Sequence, residues 1–239
     1  MHSKPHPRFP KLALAGKAQL QSPASLSPFI EHTLLRAEAT KADILRLADE
    51  AKEYGFVGAC VHAGHLETLV VALGKSPVKV VAVVGFPLGA TLPRVKAFET
   101  QEAVKLGAQE VDMVLNIGAL KAGDYAGVKR DIEAVVQAAG GAWVKVIVET
   151  GLLTEEEKVA ACLISKSAGA HFVKTCTGFS EGKATKADIA LMRRVVGSHM
   201  GVKASGGIST VEAAVELLLA GANRLGTSSG VKLVGSGCA

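Results

Sequence analysis

From Phe29 onward the chain repeats one pattern eight times: a short apolar run, a polar turn, then a stretch with helical spacing, the last repeat lacking a clear helix. The apolar runs fall at 29–35, 58–61, 78–85, 110–117, 143–149, 172–175, 201–204 and 223–226. They are nearly continuous in Val, Ile, Leu and Ala, as expected of strands covered on both faces in a parallel sheet. Between them, Ile44, Leu45, Leu47, Ala48 and Ala51 share one helical face behind Thr40 as N-cap, and Pro93 suits a first helical turn. Val128, Ile132, Val135 and Val136 mark another helix, and Thr154 with Glu157 forms a capping box. Further helices are expected around 66–73, 185–197 and 209–220. Eight such units predict a closed (β/α)8 barrel in preference to an open sheet.

No change in composition divides the repeats, so residues 28–239 are expected to form one barrel domain. Residues 1–27 are rich in Pro, Ser, Lys and His, carry little periodicity, and are expected to be a loosely ordered N-terminal extension. They lack the amphipathic arginine pattern of a transit peptide and the continuous apolar segment of a secretory signal. The net charge of +5 is misleading, because four of the 27 basic residues precede Glu31 with no acid among them. The remaining 23 basic residues face 22 acidic ones, and one Trp and two Tyr offer little for stacking on bases. A nucleic-acid surface is therefore not expected. No apolar run reaches the length of a membrane span. Cys60, Cys162, Cys176 and Cys238 form no C-x-x-C pair, which suggests a reducing compartment such as the cytoplasm and no zinc ribbon.

Against this apolar background five charges interrupt different strands: Glu31, Asp112, Lys145, Lys174 and Lys203. Each alternates with apolar neighbours, as in Val173-Lys174-Thr175, so each is expected to point into the barrel, where C-terminal strand ends carry active sites. A salt-bridge network filling one layer is the plain structural alternative. Buried ion pairs rarely stabilise better than apolar packing, which favours a site. Two neighbouring lysines are expected to destabilise each other's ammonium form, leaving one amine with a depressed pKa that is free to attack a carbonyl. A nearby carboxylate can move protons. His62 and His65 lie three apart with no further ligand nearby, so neither metal nor cofactor is expected.

Ser205-Gly206-Gly207 follows the seventh run and Gly226-Thr227-Ser228-Ser229-Gly230 the eighth. Loops at these two positions commonly hold phosphate in such barrels, because glycine lets backbone N–H groups approach the anion. The loop 85–90 is expected to shape the pocket rim instead.

Several stretches together resemble the deoxyribose-phosphate aldolase family. They include Ile30-Glu31-His32-Thr33-Leu34-Leu35, Val84-Gly85-Phe86-Pro87-Leu88-Gly89-Ala90, Val111-Asp112-Met113-Val114-Leu115-Asn116-Ile117-Gly118 and Lys145-Val146-Ile147-Val148-Glu149-Thr150. Phe172-Val173-Lys174-Thr175, Val202-Lys203-Ala204-Ser205-Gly206-Gly207-Ile208 and the eighth loop complete the set. The resemblance implies a cofactor-free aldolase that reversibly cleaves 2-deoxy-D-ribose 5-phosphate to acetaldehyde and D-glyceraldehyde 3-phosphate. It implies that Lys174 forms the Schiff base, that Asp112 and Lys203 transfer protons, and that Lys203 lowers the pKa of Lys174. Glu31 and Lys145 fall in the supporting charge network, and Gly178, Gly206, Gly207, Ser228 and Ser229 at phosphate-binding positions. A homo-oligomer, dimeric or tetrameric, is implied as well. The chain departs from the family at Glu31, where Asp is common, at Cys176 for Ser, at His171 for Asp, and in a more charged loop at 179–183. A related Schiff-base aldolase of altered preference, and a barrel that only binds a phosphorylated metabolite, stay open at this point. Cys176, beside the reactive lysine, is expected to be reachable by aldehydes and to alkylate faster than Cys60.

Overall fold

The computed structural model describes residues 14–235. Eight strands pair in parallel, each with its sequence neighbour, and the first closes on the last. In chain order they are β1 (Ile30–Thr33), β2 (Gly58–Val61), β3 (Lys79–Val84), β4 (Glu110–Val114), β5 (Trp143–Ile147), β6 (Phe172–Lys174), β7 (Gly201–Ser205) and β8 (Arg224–Thr227). The helices are α1 (Lys41–Glu53), α2 (Leu66–Leu73), α3 (Pro93–Lys105), α4 (Ile117–Lys121), α5 (Tyr125–Ala138), α6 (Glu155–Ser167), α7 (Lys186–Val196), α8 (Val211–Leu219) and α9 (Gly230–Gly235). The (β/α)8 barrel expected from the repeat is present. A helix also follows the eighth strand, which the apolar pattern did not single out. The fourth strand ends early because Asn116 turns the chain, its side chain accepting the Ala119 N–H at 3.0 Å to cap α4.

Local chemistry sets several helix starts as the sequence suggests. Thr40 and Asp43 form a reciprocal capping box on α1, as do Thr154 and Glu157 on α6. Of the expected extension over 1–27, residues 1–13 lie outside the described residues. Residues 14–27 run through two short 3-10 segments, Lys17–Gln19 and Pro23–Phe29, and Leu26 is fully buried in the main core. The described chain thus packs against the barrel before residue 28, because an apolar Leu26 has a place in the core that local periodicity does not reveal.

Most apolar burial lies between the strands and the helices, where Val111, Met113, Val144, Val146, Val173, Val202 and Leu225 meet the inner faces of the helices. Inside the barrel the apolar part is small: Cys60, Val81 and Val83, with Leu35 and the partly buried Phe86. Val114, Ile147 and Phe172 also face inward, by strand parity with Asp112, Lys145 and Lys174, and the remaining interior is mainly charged. At its base Phe172 fills the space left by Gly201, where a β-carbon would overlap the ring. Among the described residues no helix is long and apolar enough to cross a membrane.

Candidate active site

All five charges singled out in the sequence are inward and buried: Glu31, Asp112, Lys145 and Lys203 at 0% exposure and Lys174 at 2%. Strand register brings them together, since Asp112 pairs with Lys145 and Lys174 with Lys203. Asp112 is the hub. Its Oδ1 accepts from Lys145 Nζ at 2.9 Å, and its Oδ2 accepts from Lys174 Nζ at 2.8 Å and Lys203 Nζ at 2.7 Å. Glu31 Oε2 accepts from Lys203 Nζ and, at 3.3 Å, from Lys145 Nζ. Its extra methylene lets it bridge the two lysines from β1.

Two further charges complete the layer and were not singled out from the sequence. Glu110 Oε2 lies 2.6 Å from Lys145 Nζ. Arg224 faces Glu31 and Glu110 at 3.6 Å each and lies over the Phe172 ring. A signal was available: Glu110 shares strand parity with Asp112, and Arg224 shares it with Gly226, so both must face inward. Gly226 is itself required here, because a β-carbon would come 2.9 Å from Lys203 Cε.

Burial opposes ionisation of Glu31 and Asp112, but it is outweighed by Lys145 and Lys203 around Glu31 and by all three lysines around Asp112. Both carboxyls are held below their ordinary values. Burial likewise works against the Lys203 ammonium, yet Asp112 and Glu31 outweigh it and raise its pKa. Lys145 is raised by the same balance. At Lys203 the two carboxylates thus outweigh the repulsion from the neighbouring lysines. Linkage gives these shifts a sign. The carboxylates contribute stability that is complete above their unfolded pKa and is lost as pH falls. Lys145 and Lys203 contribute stability that is complete below the unfolded lysine value and is lost as pH rises. Thermal melts should show a plateau from about pH 6 to 9, with losses below about pH 5 and above about pH 10. A melting temperature unchanged down to about pH 3 would mean that the carboxylates do not carry the cluster.

Above this layer opens a cavity of about 380 Å³, lined among others by Thr33, Gly178, Gly206, Gly207, Gly226, Ser228 and Ser229. All five residues expected at a phosphate site are thus gathered in one cavity. Thr33 and Gly226 stand two residues beyond Glu31 and Arg224 on their strands, which puts the cavity directly over the charges. The tops of β6 and β7 are stapled together. Thr175 Oγ1 donates to the Ser205 carbonyl at 2.8 Å and accepts the Ser205 N–H at 2.9 Å, and Ser205 Oγ donates to the Cys176 carbonyl at 2.6 Å. These bonds fix Lys174 relative to Lys203.

Glu149 was also passed over in the sequence. Among the described non-glycine residues it alone has a positive φ, 61°, a conformation costing roughly 1–2 kcal/mol. Its buried carboxylate accepts from Thr177 N at 3.2 Å, Thr177 Oγ1 at 2.6 Å and Ser180 Oγ at 2.9 Å. It thereby ties the loop after β5 to the loop that carries Gly178. Glu149→Gln keeps the shape and removes the charge, and should cost roughly 1.5 kcal/mol of loop order. The expected outcome in steady-state kinetics is a KM raised about tenfold for a phosphorylated substrate, with kcat changed far less.

The expectation that Cys176 is reachable by aldehydes is corrected. Cys176 is fully buried, as is Cys60, and its thiol packs beside Gly182 and 3.5 Å from Thr150 Oγ1. Burial raises the pKa of both thiols, that of Cys60 to about 11. Neither is presented to an aldehyde in the cavity. His171 stacks on Trp143 at the other end of β6, away from the chemistry. Among the described residues no cluster of His, Cys, Asp and Glu could hold a metal ion.

Amines and carboxylates converging beneath a cavity, at the strand C-termini of a closed barrel, define an aldolase-type site: imine formation and proton transfer on a carbonyl compound. The comparisons with known proteins agree. The model of the DeoC/LacD family of aldolases matches residues 29–234, and the chain belongs to that family. A protein from Streptococcus gordonii named deoxyribose-phosphate aldolase is 55% identical over 209 residues, covering 87% of this chain and 95% of the relative. One of the same name from Thermococcus gammatolerans is 56% identical over 213 residues, with coverage of 87% and 95%. The tetrameric deoxyribose phosphate aldolase of Aeropyrum pernix superposes with a TM-score of 0.83 at 36% identity, covering 92% of this chain and 93% of that one.

Proposed function

We propose that the enzyme reversibly cleaves 2-deoxy-D-ribose 5-phosphate to D-glyceraldehyde 3-phosphate and acetaldehyde through an imine on Lys174. The observation that carries this reading is the shared Asp112 oxygen. It holds Lys174 and Lys203 side by side beneath the cavity that Gly178, Gly206, Gly207, Ser228 and Ser229 line. Lys145 and Lys203 each face at least two carboxylates, whereas Lys174 faces Asp112 alone. Lys174 is thus the amine with the fewest ionic ties to break when it attacks.

The amine adds to the C1 aldehyde of the open-chain sugar, and loss of water gives the iminium. Removal of the C3 hydroxyl proton then breaks the C2–C3 bond. The electron pair flows into the iminium, leaving an enamine on Lys174 and releasing glyceraldehyde 3-phosphate. Protonation at C2 and hydrolysis free acetaldehyde and restore the amine. Asp112, ionised and bonded to both lysines, and Lys203, a protonated donor, are assigned the proton transfers. Gly178, Gly206, Gly207, Ser228 and Ser229 are assigned the phosphate, with Glu31 and Lys145 holding the charge layer.

Two further parts of the reading concern its setting. We infer a homo-oligomer, supported by the tetramer of the Aeropyrum relative. We place it in the cytoplasm, where the free thiols of Cys60, Cys162 and Cys176 would stay reduced. Borohydride trapping tests the chemistry. Acetaldehyde and deoxyribose 5-phosphate should each leave the same reduced two-carbon adduct on Lys174 in peptide mapping. An adduct on Lys203 would reverse the lysine roles, and failure to cleave deoxyribose 5-phosphate while another sugar phosphate turns over would change the substrate.

A further inference from the structure

A phosphate monoester brings a charge of about −1.5 to −2 into the cavity. The glycines and serines assigned to it offer only N–H and O–H dipoles. Among the described residues lining that cavity, Arg36 is the one ionisable side chain. It follows directly on the β1 top, at the cavity edge, and is 39% exposed. Its guanidinium is held in place: Nη2 lies 2.6 Å from Asp43 and Nε 3.3 Å from Glu38. Asp43 is itself immobilised by the Thr40 N–H at 2.9 Å, the Thr40 hydroxyl at 2.7 Å and Arg46 at 2.6 Å, all at the first turn of α1. Those contacts use Nε and Nη2 and leave the Nη1 hydrogens to donate to an anion, with little side-chain freedom left to lose.

Resting on the functional reading above, we propose that Arg36 is the specificity-determining cation of this site, contacting the substrate phosphate and selecting phosphorylated over unphosphorylated sugars. Asp43 is then a positioning residue, turning the cap of α1 into a brace for the arginine. The alternative cation is Lys183, whose Cγ and Cδ pack 3.0 Å from the place of a β-carbon on Gly207.

The test compares Arg36→Met, Arg36→Lys and Lys183→Met on deoxyribose 5-phosphate and on unphosphorylated deoxyribose. Loss of a charge-assisted contact predicts a fall in kcat/KM of roughly 10- to 150-fold for Arg36→Met on the phosphorylated sugar, with the unphosphorylated sugar nearly unaffected. Arg36→Lys should recover part of the loss, and inhibition by inorganic phosphate should weaken in Arg36→Met. Equal losses on both sugars would reduce Arg36 to a brace for α1 and overturn the proposal. So would unchanged discrimination in Arg36→Met with discrimination lost in Lys183→Met. If the wild-type enzyme cleaves neither sugar, the functional reading fails by itself. Protection against thermal unfolding by inorganic phosphate then still reads the contact: lost in Arg36→Met it stands, and retained it falls.

Discussion

Replacing Lys174 by methionine is expected to lower kcat on deoxyribose 5-phosphate by roughly 10⁴-fold or more, with the fold intact. The side chain keeps nearly the same length and volume, so packing at the top of β6 is preserved. What is lost is the amine, and with it the electron sink that makes the C–C cleavage possible. Lys203 cannot substitute simply by proximity. It is held by Glu31 and Asp112, which raise its pKa and keep it protonated. Borohydride should therefore leave no adduct at all on the variant. A variant that kept activity within about tenfold, or that trapped acetaldehyde on Lys203, would move the imine away from Lys174. Stability should change little or rise, because one of four inward cations (Lys145, Lys174, Lys203, Arg224) is removed opposite three carboxylates (Glu31, Glu110, Asp112).

Asp112→Asn should combine a catalytic loss with a structural one. The carboxylate accepts from three ammonium groups, two of them through one oxygen. An amide of the same size cannot serve all three, since one of its heteroatoms is a donor facing a lysine. Breaking a buried charge network from one side costs roughly 3–5 kcal/mol. The expected result is a melting temperature lowered by about 10 °C or more, and a kcat lowered by about 10²–10⁴-fold through the lost proton transfer. Folded protein is checked by circular dichroism below its melting point, so that kinetics and stability are read separately. Undiminished turnover in a destabilised but folded variant would leave Asp112 a purely structural hub.

Most of the fold was legible because its signals are local. Strands β2 and β5 begin where their apolar runs begin, and the Thr154–Glu157 and Thr40 caps lie within one helical turn. The end of β4 was misjudged, because the apolar run continues through Leu115 while Asn116 already caps α4. The site was legible in its charged members, since a charge in a strand buried on both faces is conspicuous. Glu110 and Arg224 escaped notice because each stands at the start of its strand, where a solvent-exposed charge is ordinary. Glu149 escaped because a left-handed backbone at a glutamate leaves no mark on composition or spacing.

The sequence by itself determined the number and order of the units, the caps of α1 and α6, and the presence of three lysines, an aspartate and a glutamate on strands of a barrel. It also carried the family. Only the tertiary structure decided which of these charges meet. Lys203 and Glu31 are 172 residues apart and share a bond because β8 closes on β1. Coulomb energy depends on distance through space, so the raised pKa of Lys203 and the lowered ones of Asp112 and Glu31 exist only once the barrel has closed. The same holds for burial: Cys176 looks available beside a reactive lysine in the sequence, and the loops after β5 and β6 cover it completely.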